Sequence, residues 1–262
     1  MVWSARGRWC GYPTAVSSSW FAGAGSLSSV GDRLGLVSAH PPLWVVLATA
    51  AAALAVVLYT PVWRVLRTGV TIAHEGGHAL VAVLTGRSLR GVRLHSDTSG
   101  VTVSRGKPYG PGMILTTMAG YPAPSLLGLG CAALLGVGRL TLMLWLFVAA
   151  LVVLLLLIRN LFGLLAVVVA GGLVFAVSWY GNVVVQGVFG YAVAWFLLFG
   201  GLRAVVELQR VHVRGDGSDA DQLSRLTHLP ALLWVLVFGG ASLASTVVGG
   251  GLLVGHWTFA AP

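Results

Sequence analysis

From Leu140 to Ile158 the chain carries no charged residue, and a second such run, Leu161–Tyr180, follows after only Arg159 and Asn160. A run of about 20 apolar residues, wound as a helix, matches the hydrocarbon thickness of a bilayer. In lipid each backbone N–H and C=O must find its partner inside the protein, which restricts spanning segments to helices or closed barrels. The chain therefore reads as an all-α polytopic membrane protein. Its 262 residues are 57% hydrophobic and 9% charged, against roughly 25% charged in soluble domains. The net charge of +9 does not point to nucleic acid. The basic residues lie in ones and twos between apolar runs, which is the pattern of topology determinants. Cys10 and Cys131, one in a polar tail and one in an apolar span, suggest neither a disulfide framework nor a Cys-type zinc site.

Span-length windows predict about seven transmembrane helices. They are Leu43–Trp63, Val70–Leu84 (extendable back towards Arg67), Gly112–Val137, Leu140–Ile158, Leu161–Tyr180, Val183–Val206 and Leu229–Val254. Residues 1–42 read as an N-terminal tail, 43–254 as the membrane domain and 255–262 as a short C-terminal tail. Strict alternation with the N-terminus inside puts thirteen Arg and Lys on inner segments and three on outer ones, so the N-terminus is expected in the cytoplasm. Arginine dominates over the single Lys107 amid abundant Ala, Gly and Val. By association this suggests a bacterial plasma membrane. Between the second and third spans, Leu89–His95 and Gly100–Ser104 flank the turn residues Ser96-Asp97-Thr98-Ser99, which reads as a β-hairpin or, alternatively, as a solvated loop at the membrane surface. An exposed edge of that hairpin could take up an extended peptide by strand addition.

The chemistry concentrates in the second span, at His74-Glu75-Gly76-Gly77-His78. Positions i and i+4 share a helix face, so the two imidazoles can reach one metal ion, with Glu75 beside them to handle the proton of a water. Ionisable groups inside a span cost about 2.5 kcal/mol or more unless used or paired. His78, eight residues before Gly86, is expected roughly 12 Å below the inner surface at the helical rise per residue. A catalytic zinc needs a third protein ligand. Of the seven acidic residues, the loop Gly215–Leu223 offers Asp219 first and Asp221 as the alternative. Both fall in the first turn of a helix capped by Ser218, where acids also serve simply to complement the dipole. His212 and His228 are outside candidates. In the third span Gly120-Tyr121-Pro122-Ala123-Pro124 interrupts a helix at membrane depth, which is tolerated only against protein or a cavity.

Taken together, the sequence resembles the site-2 protease family of intramembrane zinc metalloproteases, in its smaller bacterial branch without a PDZ domain. The residues carrying the resemblance are His74-Glu75-Gly76-Gly77-His78 and Gly86, Gly100-Val101-Thr102-Val103, Ala119-Gly120-Tyr121, Arg159-Asn160-Leu161-Phe162-Gly163 and Ser218-Asp219-Ala220. The Asn-x-x-Pro and Leu-Asp-Gly motifs of better-known members are not present. The resemblance implies Zn2+ held by His74, His78 and a later aspartate, with Glu75 as base. It also carries Gly100, Val101, Thr102, Val103, Gly120, Tyr121 and Asn160 as substrate-contacting positions. The partners it implies are a membrane-protein substrate and the bilayer. Other readings are a non-catalytic membrane metal-binding or interaction protein of the same fold and, third, a transporter using the buried His and Glu for ion passage. The single Gly/Pro break and the absence of an internal repeat rank the transporter last.

Overall fold

The computed structural model describes residues 37–212 and 217–255, without the side chains of residues 211 and 212. The N-terminal tail up to residue 36, the C-terminal tail beyond 255 and the imidazole of His212 lie outside the described residues. The chain is an all-α polytopic membrane protein with one small antiparallel sheet. In order it forms α1 (Leu43–Leu58), α2 (Thr60–Leu84), β1 (Ser88–Leu94), β2 (Gly100–Arg105), α3 (Pro111–Met118) and α4 (Ala123–Gly136). Then follow α5 (Leu140–Leu157), α6 (Leu161–Tyr180), α7 (Val183–His212), α8 (Asp219–Thr227) and α9 (Ala231–Val254).

Four helices, α5, α6, α7 and α9, are long and apolar enough to cross a membrane. Two further stretches are bent pairs: α1 and α2 meet at 103°, α3 and α4 at 69°. Among the described residues the crossings therefore number up to six, fewer than the seven expected. Proline explains both bends. Pro61 sits in the first turn of α2, directly after the extended cap residue Tyr59 and Thr60, and has no N–H for the Val57 carbonyl. Pro122 and Pro124 open α4 in the same way. The windows read from the sequence counted α1 and α2 as separate alternating crossings because hydropathy alone does not register a change of direction.

The bend also changes the relative direction of the helices. Residues 38–41 lie beside Gly187 and Tyr191 near the start of α7, and Ser38 N–H donates to Gly138 O at 2.8 Å. At the other end of α1, the Arg203 guanidinium donates to the Val57 carbonyl. Thus α1 and α7 run the same way, and the start of α1 lies at the opposite end of the bundle from the hairpin. This corrects the expectation that both share the cytoplasmic side. Small residues permit the close packing of α4, α7 and α9. Gly128 and Gly249 each lie against Leu198, where added side chains would crowd it.

The predicted hairpin is present, with Val92 paired to Thr102 and Leu94 to Gly100. Its turn is closed by His95 N–H to Ser99 O and fastened by Asp97 Oδ1, which accepts from Ser99 N at 2.9 Å and Ser99 Oγ at 2.7 Å. At the bulge in β1, Gly91 has φ 150° and lies against Arg159, so only glycine fits. The outer edge of β1 is not left open. Arg159 N–H donates to Val92 O at 2.9 Å, and the Asn160 amide meets both peptide groups of Leu94, Nδ2 donating at 2.6 Å and Oδ1 accepting at 3.2 Å. Asn160, expected as a substrate contact, uses its side chain here as a substitute strand. Leu94 is buried, so Asn160→Ala should cost about 1–3 kcal/mol by stranding its peptide groups. Lowered thermal stability with faster exchange of the Leu94 amide is the expected result, and an unchanged melting curve would contradict this role.

Candidate metal centre

The centre is assembled by three separate pieces of chain. The first is α2, whose 3.6-residue turn stacks His74 over His78. Their Nε2 atoms lie 3.0 Å apart, with the rings edge to face at a centroid distance of 4.6 Å. The second piece is the break between α3 and α4. A Cβ at Gly120 would collide with both imidazoles, and one at Gly77 of α2 with Ala123 and the Ala119 carbonyl, so the break closes over the histidine-bearing side of α2 only because both positions are glycine. Tyr121 places its ring edge-on to His74 at 4.7 Å and stacks on Phe238 at 5.5 Å, joining the centre to α9.

The third piece is α8, a short amphipathic helix. It buries Ala220 and Leu223 in an apolar cluster with Leu208, Val235 and Phe238. That packing turns the first residue of the helix inward. Asp219 Oδ2 stands 3.3 Å from His74 Nε2 and 3.2 Å from His78 Nε2. The neighbouring acid does something else. Asp221 Oδ2 accepts from Ser218 N at 3.0 Å and from Ser218 Oγ at 2.8 Å, while Ser218 Oγ accepts from Asp221 N at 3.3 Å, forming a reciprocal capping box. The structure thus brings Asp219, and not Asp221, to the histidines. His228 holds a left-handed cap position at the end of α8, and His95 lies on the hairpin turn against Ser99.

These donors fit a zinc ion. Four-coordinate zinc with bonds of about 2.0–2.2 Å separates its ligand atoms by roughly 3.3 Å, close to the three separations here. Asp219 Oδ2 is buried without a regular hydrogen bond and faces only the two imidazole nitrogens. His78 Nδ1 lies 2.7 Å from the Thr116 carbonyl. A carbonyl only accepts, so Nδ1 carries the proton and Nε2 keeps its lone pair for the centre. Among the described residues this trio is the one cluster of His, Cys, Asp or Glu side chains with metal-ligand spacing.

Glu75 is 2% exposed and is covered by the hairpin. Thr102 Oγ1 donates to Glu75 Oε2 at 2.6 Å, and a Cβ at Gly100 would strike the carboxyl group. Of the hairpin positions expected to meet substrate, Gly100 and Thr102 thus face Glu75, whereas Val101 and Val103 are exposed. The Thr116 carbonyl and the Thr102–Glu75 contact had no signal in the sequence, since both join residues far apart in the chain.

None of the curated proteins and none of the solved structures compared with the chain gives a match. A family profile does: that described as Peptidase M50B-like matches residues 47–249, a range that includes α2, the hairpin and α8. The match takes in well over half of the chain and every residue of the centre, and the protein belongs to the Peptidase M50B-like family.

Proposed function

We propose that this protein is a zinc-dependent intramembrane endopeptidase, hydrolysing a peptide bond in or next to a transmembrane segment of a membrane-protein substrate. The observation that carries this reading is the convergence of His74, His78 and Asp219 beside a buried Glu75 in a membrane-spanning bundle. Membership of a peptidase family supports it. His74, His78 and Asp219 would hold the zinc, which when bound supplies Lewis-acid activation of a water and of the scissile carbonyl. Glu75 accepts the proton of the attacking water and returns it to the leaving amine. Thr102 donates to Oε2 and Gly100 packs against the same carboxyl group, which together hold the carboxylate in position.

A substrate helix must unwind before its carbonyl is accessible. The outer edge of β2 is the place for the unwound segment, because Ile158–Asn160 already fill the outer edge of β1. Backbone hydrogen bonds along such an edge act on any side-chain sequence. Every described Arg and Lys except Arg139 lies at the end of the bundle that holds the hairpin. By the positive-inside rule the centre then faces the cytoplasm and the start of α1 the opposite side.

Three variants separate the roles. Glu75→Gln should abolish cleavage of a membrane substrate while zinc content stays near stoichiometric; retained cleavage removes Glu75 as base. Asp219→Asn should release most of the zinc. Asp221→Ala should keep it and lose about 1 kcal/mol of stability through the missing cap, so metal loss in Asp221→Ala with retention in Asp219→Asn would reverse the assignment. For orientation, Cys10 and Cys131 are replaced by alanine and single cysteines introduced as Ser96→Cys in the hairpin turn or Asn182→Cys between α6 and α7. An impermeant thiol reagent applied outside intact cells should label the second and spare the first, and the opposite labelling would invert the topology.

A further inference from the structure

Away from the centre, the bend between α1 and α2 is held by a polar cluster that the hydrolytic reading does not use. The Val57 carbonyl, deprived of its helical donor by Pro61, accepts from the Arg203 guanidinium, whose Nη2 also reaches Thr60 Oγ1 at 3.3 Å. Arg203 Nε donates to Glu207 Oε1 at 3.0 Å, and the guanidinium lies over the Trp63 ring at 4.8 Å. Trp63 Nε1 donates to the same Oε1 at 2.7 Å, and Arg67 pairs with Oε2 at 3.4 Å. One carboxylate is thus shared by two arginines. Arg210, two turns beyond Arg203 on α7, is exposed and has no acidic partner among the described residues. The cluster is left with an excess of positive charge at the end of a membrane span.

Beside it runs a groove of about 450 Å³ between the end of α1 and the last turns of α7. Its walls are apolar, with Leu54, Leu58, Phe199 and Val206, and Arg203 and Arg210 lie at its polar end, with Glu207 the only acidic lining residue among the described residues. We infer that this groove is a binding site for one anionic phospholipid, with an acyl chain against Leu54, Leu58 and Val206 and the headgroup phosphate between Arg203 and Arg210. Charge complementarity and shape both select such a lipid. Cationic groups at membrane depth are placed against partners, and basic pockets between transmembrane helices suit anionic headgroups. A peptide helix would match the apolar walls but would leave the surplus charge unanswered. Because Arg203 and Arg67 also clamp the bend that sets the course of α2, the lipid would sit against the hinge of the helix that carries the histidines. This inference does not depend on the proposed peptidase activity.

The test is native mass spectrometry of the purified full chain in detergent with dioleoyl phosphatidylglycerol or dioleoyl phosphatidylcholine. The intact chain should retain one phosphatidylglycerol in preference to phosphatidylcholine by about ten-fold, because both lipids offer the phosphate but the choline cation of the second is repelled by Arg203 and Arg210. Arg210→Gln should bring the two lipids to near parity. Val206→Trp, which fills the groove, should reduce retention of both, and it carries the test should Arg210→Gln not fold. Equal retention of the two lipids by the intact chain, or an undiminished preference in both variants, overturns the inference. So does displacement of the lipid by inorganic phosphate alone, or a benzophenone side chain at position 54 that crosslinks in membranes to a protein instead of phospholipid.

Discussion

Three lone pairs that point at one another from distances of 3.0 to 3.3 Å, with His78 buried and His74 and Asp219 half-buried, repel unless a proton or a cation lies between them. The rest of the architecture is arranged to enforce that meeting. α2 supplies two donors through its own periodicity. Gly120 and Gly77 let the α3–α4 break lie directly on the histidine face. α8 supplies the third donor because Ala220 and Leu223 bury its other side. The reciprocal cap between Ser218 and Asp221 fixes where that short helix begins, and so which of its two acids turns inward. A metal at this point would therefore join α2 to α8, and its removal should loosen α8 before the long helices.

A second constraint acts on the backbone. Proline breaks two helices within the membrane domain, and each orphaned carbonyl or exposed turn needs a partner from elsewhere in the protein. At the first break the partner is Arg203, held in turn by Glu207. At the second, the Gly120–Tyr121 turn lies against the histidines and Phe238. Both bends are thus places where polar chemistry enters an apolar bundle, one forming the centre and the other its hinge. The hairpin follows the same rule: its β1 edge is closed by Ile158–Asn160, and its inner face lies over Glu75 through Thr102.

Much of this was legible in the sequence because the signals were local. The length of the apolar runs gives the fold class, the i, i+4 spacing gives the histidine pair, and the turn chemistry of residues 95–100 gives the hairpin. The choice between Asp219 and Asp221 was not legible. Both occupy the first turn of one helix, and only its packing angle on α3 and α9 decides which is a cap and which reaches the centre. The direction of α1 was also hidden. Pro61 lies inside the window read as the first span, and nothing local shows that the chain turns there by 103°. The Trp63–Glu207 contact spans 144 positions of sequence and left no local trace beyond the Arg203–Glu207 spacing.

In the proposed function His74, His78 and Asp219 together hold one zinc ion. X-ray absorption spectroscopy of the zinc-loaded protein tests it most directly. The expected first shell is two imidazole nitrogens and light oxygen ligands at about 2.0–2.2 Å, with one imidazole lost in His78→Ala and an altered oxygen shell in Asp219→Asn. A shell containing sulfur, or one unchanged by both substitutions, would contradict it.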